Sequence, residues 1–131
     1  MPTIEIFKEF AFDAAHQLGA NVEPGHPYAR LHGHSFMVRV YLRGAPDPAT
    51  GWIMDFAQLE AAIRPLRDRL DHRYLNEIEG LERPTLETLA FWIWRRLKPD
   101  VPALHRVLVR RGSGGEGCVC EGDPAGSGPG A

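Results

Sequence analysis

The sequence predicts an α+β fold built on an antiparallel sheet. Two period-two apolar runs occupy the first third of the chain, two helix-period runs the middle, and two shorter extended runs the end. Strand, strand, helix, helix, strand, strand is not the regular alternation that builds a parallel sheet. At 131 residues with 44% hydrophobic content, residues 1–121 can form one domain with a core that needs no disulfide staples. Residues 122–131 are rich in Gly, Pro and Ser and are expected to form a disordered tail.

Thr3 to Phe12 reads as the first strand, with Ile4, Ile6, Phe10 and Phe12 on one face; Lys8 breaks that face and suggests a bulge nearby. His34 to Arg43 alternates more cleanly, with Phe36, Val38, Val40 and Leu42 facing one way. The turn-forming residues Ala45 to Gly51 end it. Asp55 suits a helix N-cap, with Gln58 completing a capping box. Phe56, Leu59, Ile63, Leu66 and Leu70 then mark a buried stripe, which Pro65 should kink or split. Thr85 can cap a second helix whose apolar face is Leu86, Leu89, Ala90, Ile93 and Leu97, stopped by Pro99 and Pro102. Leu104 to Arg111 and Cys118 to Glu121 read as the remaining strands.

Net charge is −2, so there is no bulk basic field for nucleic acid or membrane. The run Arg95-Arg96-Leu97-Lys98 suits the C-terminal dipole of the second helix. The N-terminus lacks a basic segment followed by an apolar run, and no stretch approaches the ~18 apolar residues of a membrane span. Cys118 and Cys120 sit two apart on one face of a strand, a poor disulfide geometry. Reduced thiols in a cytoplasmic protein are the expectation.

Six histidines are present, and their placement carries chemistry. His32 and His34 point to the same strand face, continuous with Phe36, Val38, Val40 and Leu42. Gly33 between them permits close approach of backbone or ligand. If the first strand stays extended, His16 shares the apolar side of Phe10 and Phe12, with small Ala14 and Ala15 beside it. Three neutral imidazoles with a fourth position open make a catalytic zinc site. An isolated His-x-His on a strand is more often surface or satisfied structure, and a third histidine at the end of a neighbouring apolar strand brings the two readings only to about even.

Phe12-Asp13-Ala14-Ala15-His16 and Arg30-Leu31-His32-Gly33-His34-Ser35-Phe36 closely resemble the 6-pyruvoyl-tetrahydropterin synthase family. Gly51-Trp52-Ile53-Met54-Asp55-Phe56, Leu70-Asp71-His72-Arg73-Tyr74-Leu75-Asn76 and Pro84-Thr85-Leu86-Glu87 extend the match, which runs from about Thr3 to Glu121. Within the family it looks most like the bacterial 6-carboxy-5,6,7,8-tetrahydropterin synthase branch, which serves queuosine synthesis. The resemblance implies the tunnelling fold: a four-stranded antiparallel sheet with two helices on one face. It also implies trimers that close into a barrel, often stacked as hexamers, with active sites at subunit interfaces. It makes His16, His32 and His34 the zinc ligands and a pterin-like small molecule, 7,8-dihydroneopterin triphosphate, the substrate. Acetaldehyde and triphosphate would be released. The family's Asp-His pair falls on Asp71 and His72, where a carboxylate orients an imidazole that shuttles a proton. Thr85 and Glu87 fall among the substrate-contacting positions.

Two positions depart from the family pattern. Tyr28 stands where the family has a cysteine base. A free tyrosine titrates near ~10 against ~8.5 for cysteine, so action near neutral pH would need about 4 kcal/mol of differential stabilisation. His26 is a second candidate base, or an exposed loop histidine. Arg111 stands where the family has a glutamate that accepts two hydrogen bonds from the pterin edge. Guanidinium only donates, so it suits a carboxylate or phosphate instead. Glu116, beyond a Gly-rich loop, is a candidate replacement. Three functions compete: a zinc-dependent lyase of the 6-carboxytetrahydropterin synthase type, a paralogue with altered substrate or chemistry, and a non-catalytic oligomer binding metal or pterin.

Overall fold

The computed structural model describes residues 2–112 and 114–122, so all of the tail expected over residues 122–131 except Gly122 lies outside the described residues. The elements are β1 (Ile4–His16), β2 (His32–Gly44), α1 (Phe56–Leu70), α2 (Leu86–Leu97), β3 (Leu104–Arg111) and β4 (Gly117–Cys120). The strands form one sheet in the order β1-β2-β3-β4, each antiparallel to its neighbour.

β1 and β2 pair without interruption from Ile4 opposite Gly44 to His16 opposite His32. Opposed residues share a face, so Phe12, Ala14, Phe36, Val38, Val40 and Leu42 lie together and are buried. Val107 and Val109 of β3 continue that face. Both helices cover it, α1 with Leu59, Ile63, Leu66 and Leu70 and α2 with Leu89, Ala90, Ile93 and Leu97, in one apolar cluster. Each fully buried side chain of this kind contributes ~1.5–3 kcal/mol relative to exposure. The other face carries charge and aromatic edges: Arg106 pairs with Glu5 at 2.8 Å and stacks 3.9 Å from the Tyr41 ring centroid.

Several expectations are corrected. No bulge marks Lys8; its stem runs along the core face and its ammonium reaches Glu60 on α1 at 3.3 Å, so the charge is carried to the rim. The register shift lies instead between Tyr41 and Leu42, against β3. Phe56 is 50% exposed, because the core stripe begins one turn later at Leu59. α1 runs unbroken through Pro65, where Ala61 and Pro65 both face solvent, so water can satisfy the carbonyl that the missing N–H leaves free. Asp55 caps α1 by accepting from Ala57 N at 2.9 Å, while Gln58 points into solvent. Thr85 caps α2 by accepting from Thr88 N at 3.1 Å. Cys118 and Cys120 are free thiols on the core side of β4; burial, with Glu87 nearby, pushes the Cys118 thiol up. Among the described residues no helix is long and apolar enough to cross a membrane.

Candidate metal centre

β1 extends four residues past Phe12 because Ala14 and Ala15 keep the strand slim and its free edge is occupied. His72 N donates to Asp13 O at 2.6 Å, Ala15 N donates to Arg73 O at 3.0 Å, and Ala15 bridges Tyr74. Asn76 clamps the strand end, accepting from Gln17 N and donating to Gln17 O, both at 3.0 Å. His16 therefore stays in register opposite His32, on the face shared with His34.

The three imidazoles form a cluster whose ligand atoms all lie within 4.8 Å of one another. Ring centroids are 4.7 Å apart for His16–His32, 5.1 Å for His16–His34 and 4.8 Å for His32–His34. Phe36 forms the floor, 5.8 Å from both His16 and His34. His16 is 1% exposed. Its Nδ1 lies 3.0 Å from Pro84 O, and His32 Nδ1 lies 2.7 Å from Arg30 O. A carbonyl only accepts, so both rings carry their proton on Nδ1 and present an Nε2 lone pair. His16 Nε2 is buried and has no partner among the described residues. A buried acceptor left so is costly, and a metal ion is the partner that fits it.

Electrostatics agree. Desolvation, reinforced by the neighbouring His32, His34 and Arg111, pushes His16 down to about 4. Desolvation, followed by Arg111, also lowers His34. Neutral imidazoles are the form that ligates metal. The cluster can bind a metal ion, and an all-nitrogen donor set favours a borderline ion over magnesium or calcium, which take oxygen ligands. Gly33 is not forced by packing: a Cβ there would meet only Ala14 O, at 3.7 Å, an ordinary contact.

Residues 5–123 match the family described as 6-pyruvoyl tetrahydropterin synthase. The chain belongs to that family. It is 47% identical to the 6-carboxy-5,6,7,8-tetrahydropterin synthase of Synechocystis sp. over 79% of this chain and 83% of the relative. It is 36% identical to a dihydroneopterin monophosphate aldolase of Pyrococcus furiosus over 70% of this chain and 73% of the relative. The solved 6-pyruvoyl tetrahydropterin synthase of Caenorhabditis elegans superposes with a TM-score of 0.84 at 25% identity, covering 94% of this chain and 98% of that one. The sheet and two helices described above are this family's tunnelling fold.

The remaining family positions are distributed unevenly about the histidines. Tyr28 lies in a 3-10 turn, Pro27–Ala29, and is 48% exposed, its ring 6.5 Å from His32 and 4.8 Å from His26. His26 Nδ1 accepts from Tyr28 N at 3.1 Å, so this imidazole helps shape the turn. Asp71 and His72 pair at 3.1 Å, but on the edge of β1, with His72 79% exposed. Asp13 N donates to Asp71 Oδ1 at 3.1 Å, which with His72 and Arg67 holds the carboxyl below its usual range. His72 has φ 58°, a left-handed conformation that non-glycine residues rarely take. Arg111 shares the histidines' face, opposite Phe36. Glu116 O accepts from Arg111 N at 3.4 Å, yet the Glu116 side chain is exposed and forms no ion pair with Arg111 among the described residues. Thr85 is engaged as the α2 cap and Glu87 is exposed in its first turn. A groove of about 810 Å³ lies elsewhere, between the helices beside Arg69, Trp92 and Arg96, and shares no residue with the histidines.

Sequence reasoning missed the carbonyls of Pro84 and Arg30 that orient two of the imidazoles, and Asn76 as the clamp on β1. Backbone acceptors leave no side-chain signal. Asn76 ended a motif and could have been singled out as the polar residue that holds a neighbouring strand end.

Proposed function

We propose that the chain is a zinc-dependent lyase of the 6-carboxy-5,6,7,8-tetrahydropterin synthase type, acting in the cytoplasm on 7,8-dihydroneopterin triphosphate. The observation that carries this reading is the 47% identity to the Synechocystis enzyme across most of both chains, joined to the three-histidine cluster. His16, His32 and His34 hold the ion, with His16 and His32 offering Nε2 because Nδ1 is engaged by a carbonyl. Bound there, zinc supplies Lewis acidity that polarises substrate oxygens and acidifies neighbouring protons.

The chain's own residues then bind and move protons. Asp71, kept ionised by Asp13 N and Arg67, orients the His72 imidazole through Nδ1, leaving Nε2 to exchange a proton with substrate. Tyr28, beside His32, takes the place of the family's cysteine base. Arg111, Glu116, Thr85 and Glu87 contact the substrate. The exposed apolar residues Ile4, Phe7 and Val119 and the free edge of β4 support assembly into a trimer or hexamer, with sites completed at subunit interfaces. Assembly would also bring His72, exposed within one chain, to a neighbour's histidine cluster.

The test is direct. Zinc-loaded protein given 7,8-dihydroneopterin triphosphate should release triphosphate and acetaldehyde and form the 6-carboxy product; untouched substrate would sink the proposal. Arg111 favours a second reading, a family member whose substrate carries a different group at the pterin-anchoring end.

A further inference from the structure

We propose that Arg111 is an oxyanion anchor beside the metal centre, so that the substrate turns a carboxylate or phosphate towards the end of β3. The proposal rests on the reading of the histidines as a metal site and narrows which substrate group faces them.

Three observations carry it. Arg111 lies on the histidine face of the sheet, directly opposite Phe36, whose ring touches both His16 and His34. Its Nε is buried without a hydrogen-bond partner among the described residues, and no carboxylate among them pairs with its guanidinium. Its backbone is pinned on both sides: Arg111 N donates to Glu116 O and Gly112 N donates to Ser35 O at 2.7 Å. The side chain is therefore presented by a held strand end.

A buried Nε that lacks an acceptor among the described residues needs one. Placed beside a divalent cation, that need grows, because both charges are positive. The acceptor that satisfies a planar fork of N–H donors is a bidentate oxyanion. A neutral edge bearing an amino group and a ring N–H presents donors to donors and is rejected. Carboxylate and phosphate share the required chemistry and differ in where on a substrate they sit.

The experiment uses the zinc-loaded full chain and three probes, inorganic triphosphate, pterin-6-carboxylate and uncharged neopterin, with affinity read by calorimetry. Arg111→Met should weaken triphosphate or pterin-6-carboxylate binding by about tenfold or more, and leave neopterin within about twofold. Arg111→Lys should fall between. The anion that loses affinity identifies the source of the charge. Unchanged affinity for both anions overturns the proposal, as does an equal loss for neopterin. A changed oligomeric mass with both anion affinities intact would show Arg111 paired with a carboxylate of a second copy, and also overturns it. Should Arg111→Met fail to fold, labelling of wild-type Arg111 by phenylglyoxal, mapped by peptide mass, must fall when triphosphate is bound; labelling unaffected by saturating anion refutes the anchor. None of these readouts requires turnover, so a failure of the proposed lyase activity remains a separate result.

Discussion

His16 donates from Nδ1 to the Pro84 carbonyl at 3.0 Å, and this bond aims at His32 and His34 a buried Nε2 that has no partner among the described residues. Pro84 immediately precedes the cap of α2, so the start of a helix orients a ligand on the edge strand. With the cluster read as the metal site proposed above, metal affinity is tied to the docking of α2 on the sheet.

Metal content should follow from that tie. His16→Gln is expected to reduce bound zinc from about one ion per chain to a small fraction, as measured by plasma emission on dialysed protein. Chelator treatment of the wild type should lower its melting temperature, and zinc added back at ~100 times its Kd should restore about 2.7 kcal/mol. A melting temperature indifferent to chelator would rule out an ion that binds the folded chain.

The buried His16 also predicts an acid sensitivity of the metal-free protein. Its folded value, about 4, lies below the ordinary 6.5, so the unfolded chain binds more protons between the two. Stability is then full above ~6.5 and is lost as pH falls towards ~4, by up to about 3 kcal/mol. Urea midpoints at pH 7.5 and 4.5 measure the loss in metal-free wild type. In His16→Gln the drop should be distinctly smaller; an equal drop would assign it to other groups.

His72 should show a conflict between stability and function. Its left-handed backbone, held by the bond from its N–H to Asp13 O, stores strain that glycine would release. His72→Gly is expected to keep or raise stability by up to ~1 kcal/mol while kcat falls by about 100-fold or more. If the variant retains kcat, His72 carries no proton in the reaction.

Tyr28 offers a clean comparison because it is half exposed and outside the core. Tyr28→Phe should leave the melting temperature almost unchanged and lower kcat by about 100-fold if the phenol moves a proton. Tyr28→Cys should recover part of that loss. Full activity in Tyr28→Phe would assign the base elsewhere.

Period-two and helix-period patterning determined the strands, the helices and the sharing of one face by His32 and His34, because side-chain direction along a strand follows from chain geometry alone. Strand parity offered His16 as a third ligand only if the first strand stayed extended; the resemblance to a known family made it one and added Asp71 and His72. Local signals failed where a neighbour decided the outcome: Lys8 needed no bulge once Glu60 stood in reach, and α1 tolerated Pro65 because that turn faces water. Phe56 has the period of a core residue, yet lies beyond the reach of the sheet.

Only the tertiary structure set His16 opposite His32, chose its Nδ1 tautomer through Pro84, and put Arg111 on the histidine face with its Nε unpaired among the described residues. These depend on contacts between residues as far apart in sequence as 16 and 84. Sequence periodicity records which way a side chain points; what it meets there is settled by strand register and by the packing of helices across the sheet.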